Sequence, residues 1–213
     1  MDFDEVIEDY GALISPNDTV ILSREITGIV DLPAEYDGES HIFRDMMTFS
    51  KDKSITLIVS MRAKIGERLF NSAMVVDKGK VLGVSDEIFP LKGYERGSVV
   101  RSYLTGRGKV CLFVDTDICY PQLWKGCFSG CRYIFSLNSV PLNRERIASA
   151  KTLANASGKH VLAQFCDAIV CISPYGKIDS VKFGRMSAFY LPLSLTKGRL
   201  IDRKIKFVEE CGD

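Results

Sequence analysis

Apolar residues recur at helical spacing over residues 2–14, where Phe3, Val6, Ile7, Tyr10 and Ile14 share one face. Asp2 is placed to cap this helix and Pro16 to stop it. The pattern then changes. Residues 19–23 (TVILS) form a short β-rich run and predict a buried strand, whereas 32–39 hold Pro33, Asp37 and Gly38 and read as loop. Residues 40–50 return to an amphipathic helix with Ile42, Met46, Met47 and Phe49 inward. Strands are predicted at 54–61 and 69–76, flanking a turn around 64–67, and the DKGK turn at 77–80 leads into a further strand at 81–83. A loop marked by Pro90, Gly93 and Gly97 precedes strands at 99–104 and 109–114, the latter strongly apolar. Pro121 suits the first turn of a helix running to Ser129. Beyond it the pattern predicts a strand at 133–137 and a helix at 143–156 stopped by Gly158. Strands follow at 160–165 and 168–172, then a turn at 174–176 into a strand at 177–181, and a last strand at 187–195.

Helices alternate with strands, but several strand pairs are joined by tight hairpins that a purely parallel sheet would not use. The expectation is a mixed α/β fold with helices on the outer faces of its sheets. No repeat, low-complexity tract or linker interrupts the chain, so residues 1–213 read as one domain.

Composition narrows the function without naming it. Hydrophobic residues make up 46% and charged residues 26%, which suits a globular core and excludes a disordered chain. Lys and Arg (28) balance Asp and Glu (27), so nothing advertises nucleic acid or an anionic membrane as a partner. No apolar run reaches the length of a membrane span, and the acidic start Met1-Asp-Phe-Asp-Glu lacks the basic region of a signal peptide. A cytoplasmic protein is expected. In that compartment the seven cysteines are expected to be mostly buried thiols. Cys127 and Cys131 have no second pair at zinc-site spacing, so neither a metal nor a cofactor is expected.

Several segments carry a resemblance. Residues 70–83 read FNSAMVVDKGKVLG and 108–122 read GKVCLFVDTDICYPQ. Upstream lies DTVILSREITG at 18–28, and downstream lie RIASAKTLAN at 146–155 and ISPYGKI at 172–178. In this order the set resembles the nitrilase, or carbon–nitrogen hydrolase, superfamily. In that family an Asn-Ser-Ala strand leads through a Gly turn to a further strand, a Gly-x-Tyr-Arg-Lys-x-His-Leu segment follows, and a Gly-Lys-x-Gly-x-x-Ile-Cys-Tyr-Asp segment carries the nucleophile. The resemblance implies an α-β-β-α sandwich with mixed sheets. The family's initial strand is missing here, because the chain starts at the helix.

The family acts on non-peptide C–N bonds with Glu as general base, Lys stabilising the oxyanion and Cys as nucleophile. Residue by residue, the Glu position matches Glu25, the Lys position is Glu87 and the Cys position is Asp115. The His after the Lys is Phe89 and the Arg after the Cys is Cys119. A carboxylate at 87 would repel a developing oxyanion. Asp115 is a poor nucleophile toward an amide, because its acyl product would be a high-energy anhydride, whereas a thiolate is a strong nucleophile near neutrality. The resemblance therefore implies a protein that has lost C–N hydrolysis and persists as a binding or assembly module with a possible small-molecule ligand.

The rival reading is an active amidase-like hydrolase, rearranged or metal-assisted, around Glu25, Asp115 and Cys119. Glu95, Asp117 and Cys119 are further pocket candidates. Cys119 lies four residues past the family's nucleophile position, which favours a buried structural thiol. If Glu25, Glu87 and Asp115 converge, at least one carboxyl should titrate above its ordinary range or a cation should bind. Protonation or pairing with an internal arginine, Arg24 and Arg96 being nearest in sequence, ranks above a hard metal ion or a ligand amine. Crowding of like charges further predicts that Asp115→Asn is neutral or stabilising. Leu123, Trp124, Cys127 and Phe128 make an apolar face on the 121–129 helix whose default place is the core, but a homodimer is expected through this helix, with Leu123, Trp124 and Phe128 read as an exposed stripe.

Overall fold

A computed structural model describes residues 3, 7, 8, 11–128 and 130–183 of the chain. The expected strand at 187–195 lies outside the described residues. Of the expected first helix, Phe3, Ile7 and Glu8 are helical and Gly11–Leu13 form a 3-10 turn.

The centre of the first sheet is a long hairpin. β3 (Thr56–Ile65) turns at Gly66 and Glu67 into β4 (Arg68–Asp77), with Ile65 opposite Arg68. β5 (Lys80–Asp86) follows after Lys78 and Gly79, both at positive φ, as a tight two-residue hairpin requires. Two short strands, β1 (Thr19–Leu22) and β2 (Ile29–Asp31), lie end to end along β3, both parallel to it. Between them sits the single helical turn α1 (Arg24–Thr27). The second sheet has six strands in the order β11-β10-β9-β8-β7-β6. They are β6 (Ser102–Thr105), β7 (Gly108–Val114), β8 (Tyr133–Leu137), β9 (His160–Gln164), β10 (Ala168–Ile172) and β11 (Ile178–Phe183). β7, β8 and β9 run parallel and the remaining pairs antiparallel. The mixed pairing expected from the hairpins is present in both sheets.

Alternation along β7 shows how the sheets are buried on both faces. Val110, Leu112 and Val114 point between the sheets, where they meet Ile58, Ala73 and Val75 of the first sheet and Phe135, Leu137 and Leu162 of the second. Cys111 and Phe113 point outward into a second cluster with Ala150, Leu153 and Ala154. Those three belong to α5 (Arg144–Ser157), which Asn143 caps by accepting from the backbone of Glu145 and Arg146. On the outer face of the first sheet, Leu57, Val59, Met61, Met74 and Val76 pack against Met46 and Phe49 of α3 (Ile42–Asp52). Two sheets flanked by helices thus enclose three apolar layers.

Two expectations are corrected. Residues 32–39 are not simply loop: α2 (Leu32–Asp37) occupies most of them. Pro33 falls in its first turn, where a missing N–H costs nothing, and the Asp31 side chain caps it by accepting from Ala34 N at 3.3 Å. The 121–129 helix is broken into a 3-10 turn at Pro121–Leu123 and the four-residue α4 (Lys125–Phe128). Its stripe is not exposed either. Trp124 is only 7% exposed, donates from Nε1 to Ile118 O at 3.0 Å and belongs to the outer core of the second sheet. Leu123 packs against that core, and Phe128, at 45%, is the residue that faces solvent.

Candidate carboxylate site

The candidate site lies where the C-terminal ends of β7 and β8 meet the end of β5, the end of a parallel sheet at which loops from different strands converge. Asp115 follows directly on the apolar run of β7. It has φ 49°, the left-handed region that a side chain other than glycine rarely adopts, and it begins the 3-10 turn Asp115–Cys119. The carboxylate is 3% exposed. Its Oδ2 accepts from Asn71 Nδ2 at 3.2 Å, from Ser139 N at 3.2 Å and from the Ser139 hydroxyl. Its Oδ1 receives no aligned hydrogen bond and is met by Arg146 Nη1 in an ion pair. Arg146 stands on the first turn of α5, is itself buried, and donates from Nη1 to Asn138 Oδ1 at 3.2 Å. Asn138 is fixed in turn by donating to Gln164 O at 2.8 Å.

Glu87 faces Asp115 across Asn71. The Asn71 amide spends one hydrogen on each carboxyl, reaching Glu87 Oε2 at 2.8 Å and Asp115 Oδ2 at 3.2 Å. In return Glu87 N donates to Asn71 O at 2.8 Å, extending the β4–β5 ladder by one residue. Glu87 is 1% exposed, and its Oε1 contacts Thr116 twice, accepting from the backbone N at 2.9 Å and lying 2.7 Å from Oγ1. Burial raises the Glu87 carboxyl above its ordinary range; the hydrogen bonds from Thr116 and Asn71 oppose that rise and the charge of Asp115 adds to it.

Asp117 is the third buried carboxyl of the site. It accepts from Ile88 N and Phe89 N, anchoring the segment after β5 to the turn after β7. Burial pushes it up to about 7, against the pull of those two backbone donors. Glu95 and Cys119 do not join this group. Glu95 is exposed in the loop, where its N–H donates to Leu69 O at 2.7 Å. Cys119 packs half-buried against the outer core of the second sheet. Glu25 lies in α1, between Arg24 and Ile26.

The internal arginine expected from the crowding argument is present, but it is Arg146 rather than Arg24 or Arg96. Asn71, Ser139 and Arg146 complete this cluster and were not candidates in the sequence, although a lone Asn inside an apolar strand and the polar Leu-Asn-Ser step after β8 were visible signals. Among the described residues no group of three His, Cys, Asp or Glu side chains is arranged to hold a metal ion. No helix among them is long and apolar enough to cross a membrane.

This architecture is similar to solved structures of three named proteins. A carbon–nitrogen hydrolase from Helicobacter pylori G27 matches with a TM-score of 0.66 at 15% identity, over 99% of this chain and 90% of that one. Saccharomyces cerevisiae Nit3, a member of branch 10 of the nitrilase superfamily, matches with 0.62 at 14% identity, over 74% and 70%. NitN amidase from Nesterenkonia sp. AN1 matches with 0.62 at 15% identity, over 76% and 74%. The likeness is one of fold. No protein-family model and no curated protein matches the sequence.

Proposed function

We propose that this chain is a degenerate member of the nitrilase, or carbon–nitrogen hydrolase, superfamily. In this reading it has that family's four-layer α-β-β-α sandwich, and Glu25, Glu87 and Asp115 stand at the positions of the Glu, Lys and Cys triad. It has lost C–N hydrolysis and serves in the cytoplasm as a binding or assembly module, a homodimer with a small-molecule ligand as its possible cargo.

The observation that carries the reading is the engagement of Asp115. A strand-to-helix turn in the left-handed region is where an enzyme presents a nucleophile. Here the side chain on that turn is a carboxylate neutralised by Arg146 and bonded by Ser139 and Asn71. It has neither the chemistry nor the freedom to attack an amide carbon. The oxyanion role fares no better, because the Lys position holds a buried acid whose partners are Thr116 and Asn71. A rearranged amidase would draw on Cys119, and that thiol packs against the core. The dimer in this proposal does not rest on a Leu123–Trp124 stripe; Phe128 is the member of the original trio on the surface.

The test is mass spectrometry of the intact protein after incubation with amides and with an electrophilic amide probe. No acyl adduct on any cysteine is expected. An adduct on Cys119 that turns over with release of ammonia would establish the amidase instead.

A further inference from the structure

The Thr116 hydroxyl has a hydrogen-bond count that ionised neighbours do not satisfy. Its Oγ1 lies 2.7 Å from Glu87 Oε1 and 2.8 Å from Phe89 O, and both are acceptors when Glu87 is a carboxylate. A hydroxyl carries one hydrogen and cannot donate to both. The conflict disappears when Glu87 is the neutral acid. Its O–H then donates to Thr116 Oγ1, and Thr116 Oγ1–H donates to Phe89 O. Because Asn71 Nδ2 donates to Glu87 Oε2, the acid proton sits on Oε1, whose remaining lone pair meets Thr116 N–H.

We propose that Glu87 keeps a proton which, relayed through the Thr116 hydroxyl, latches the 87–89 segment onto the turn after β7, so that this part of the site opens when the proton is lost. Neighbouring charged groups set its affinity for that proton. Asp115 and Asp117 place negative charge beside Glu87 from the turn after β7, while Arg146 from α5 neutralises Asp115. Asp86, the preceding residue on β5, is turned to the Ser72 hydroxyl at 2.6 Å. Burial of Glu87 favours its neutral form, in line with the hydrogen-bond count. Once ionised, Glu87 takes the Thr116 hydrogen, and the Phe89 carbonyl loses its donor. Asp117 anchors the same segment by accepting from Ile88 N and Phe89 N, and its burial likewise opposes ionisation.

The test uses the full chain labelled with ¹³C at its glutamate side-chain carboxyls, titrated by NMR from about pH 4 to about pH 9, a range that spans the ordinary carboxyl region. One glutamate is expected to titrate well above the rest, and Glu87→Gln should remove that resonance. Limited proteolysis supplies the second readout. Cleavage between residues 90 and 100 should rise several-fold with pH in the native protein, and in Glu87→Gln the rise should be much smaller. Thr116→Val should be cleaved readily at every pH, while Thr116→Ser behaves as the native chain. If every glutamate titrates in the ordinary range, or if Glu87→Gln shows the native pH dependence of cleavage, the latch is wrong. Should Glu87→Gln not fold, the contrast between Thr116→Val and Thr116→Ser decides alone. None of these outcomes depends on whether the protein hydrolyses amides.

Discussion

Arg146 and Asp115 form a buried ion pair that joins the first turn of α5 to the turn after β7. Both members are shielded from solvent, and each has further polar partners, so the charge is balanced inside the site rather than by water. This reverses one sequence-based expectation. Crowded carboxylates alone make Asp115→Asn neutral or stabilising, but with Arg146 in place the substitution strands a buried cation. We expect Asp115→Asn and Arg146→Met each to cost about 3–5 kcal/mol, the usual range when one partner of a buried pair is removed. The double variant should cost much less than the sum. Urea denaturation of the four proteins measures the coupling, and simple additivity would contradict the pair.

Stability should also fall as pH rises through the acid-to-neutral range. The Asp117 carboxyl titrates at about 7 in the folded chain against an ordinary value of 3.8, so the folded state binds more protons between those values. By linkage its contribution is fully present below about pH 4 and is lost as pH rises to about 7. Glu87, also raised, adds a slope of the same sign beginning at its ordinary 4.5. Asp117→Asn should flatten part of this slope, and adding Glu87→Gln should flatten more. Melting temperatures measured across that range at fixed ionic strength provide the check.

Trp124 discriminates between core and interface. Its indole is buried in the chain and bonded to Ile118 O, so Trp124→Ala should cost about 3–5 kcal/mol. A tryptophan on an exposed association surface would leave the isolated chain nearly as stable as before. Thermal denaturation at low concentration separates the two outcomes, and light scattering of Phe128→Ser asks whether the exposed member of the trio contributes to association.

Gly97 is a further sensitive point. A Cβ built there would lie 2.3 Å from the backbone oxygen of Asp86, and Gly97 N donates to Glu87 O at 2.7 Å. The loop thus returns onto the end of β5 with no space for a methyl group. Gly97→Ala should destabilise the protein by about 1–3 kcal/mol and increase proteolysis of the loop. A native cleavage rate would show that the close approach does not hold in solution.

Most of the strands were legible in the sequence because burial on two faces produces continuous apolar runs such as VCLFV, bounded by turn signals at 66–67 and 78–79. The 32–39 segment misled because Pro33 and Gly38 are breakers inside a helix but suit its first turn and its end, where Gly38 takes a left-handed conformation. The 121–129 segment misled because helical spacing of apolar residues does not tell a core-facing stripe from a solvent-facing one. At the site, Glu87, Asp115 and Asp117 were visible as candidates. Their neutralising partner was not, since proximity along the chain favoured Arg24 and Arg96 while the β7–β8–α5 connection delivers Arg146. Asn71 and Ser139 are ordinary polar residues until topology places them between two acids.

The division of this site between the two sheets bears on how the chain folds. Asn71 and Glu87 belong to the β3–β4–β5 meander, whose strands are adjacent in sequence and close over two-residue turns. Asp115, Ser139 and Arg146 belong to the parallel β7–β8 half, which must first form a crossover. Local contacts form early and non-local ones late, so the meander should be in place before the carboxyls meet. Asp115 and Glu87 then lose their water together when the halves join, and their contacts contribute little to the transition state that precedes docking. Changes at Arg146 or Asp115 should accordingly quicken unfolding while leaving the refolding rate nearly unaltered. The clasp that holds the finished molecule shut would set its lifetime rather than its speed of assembly.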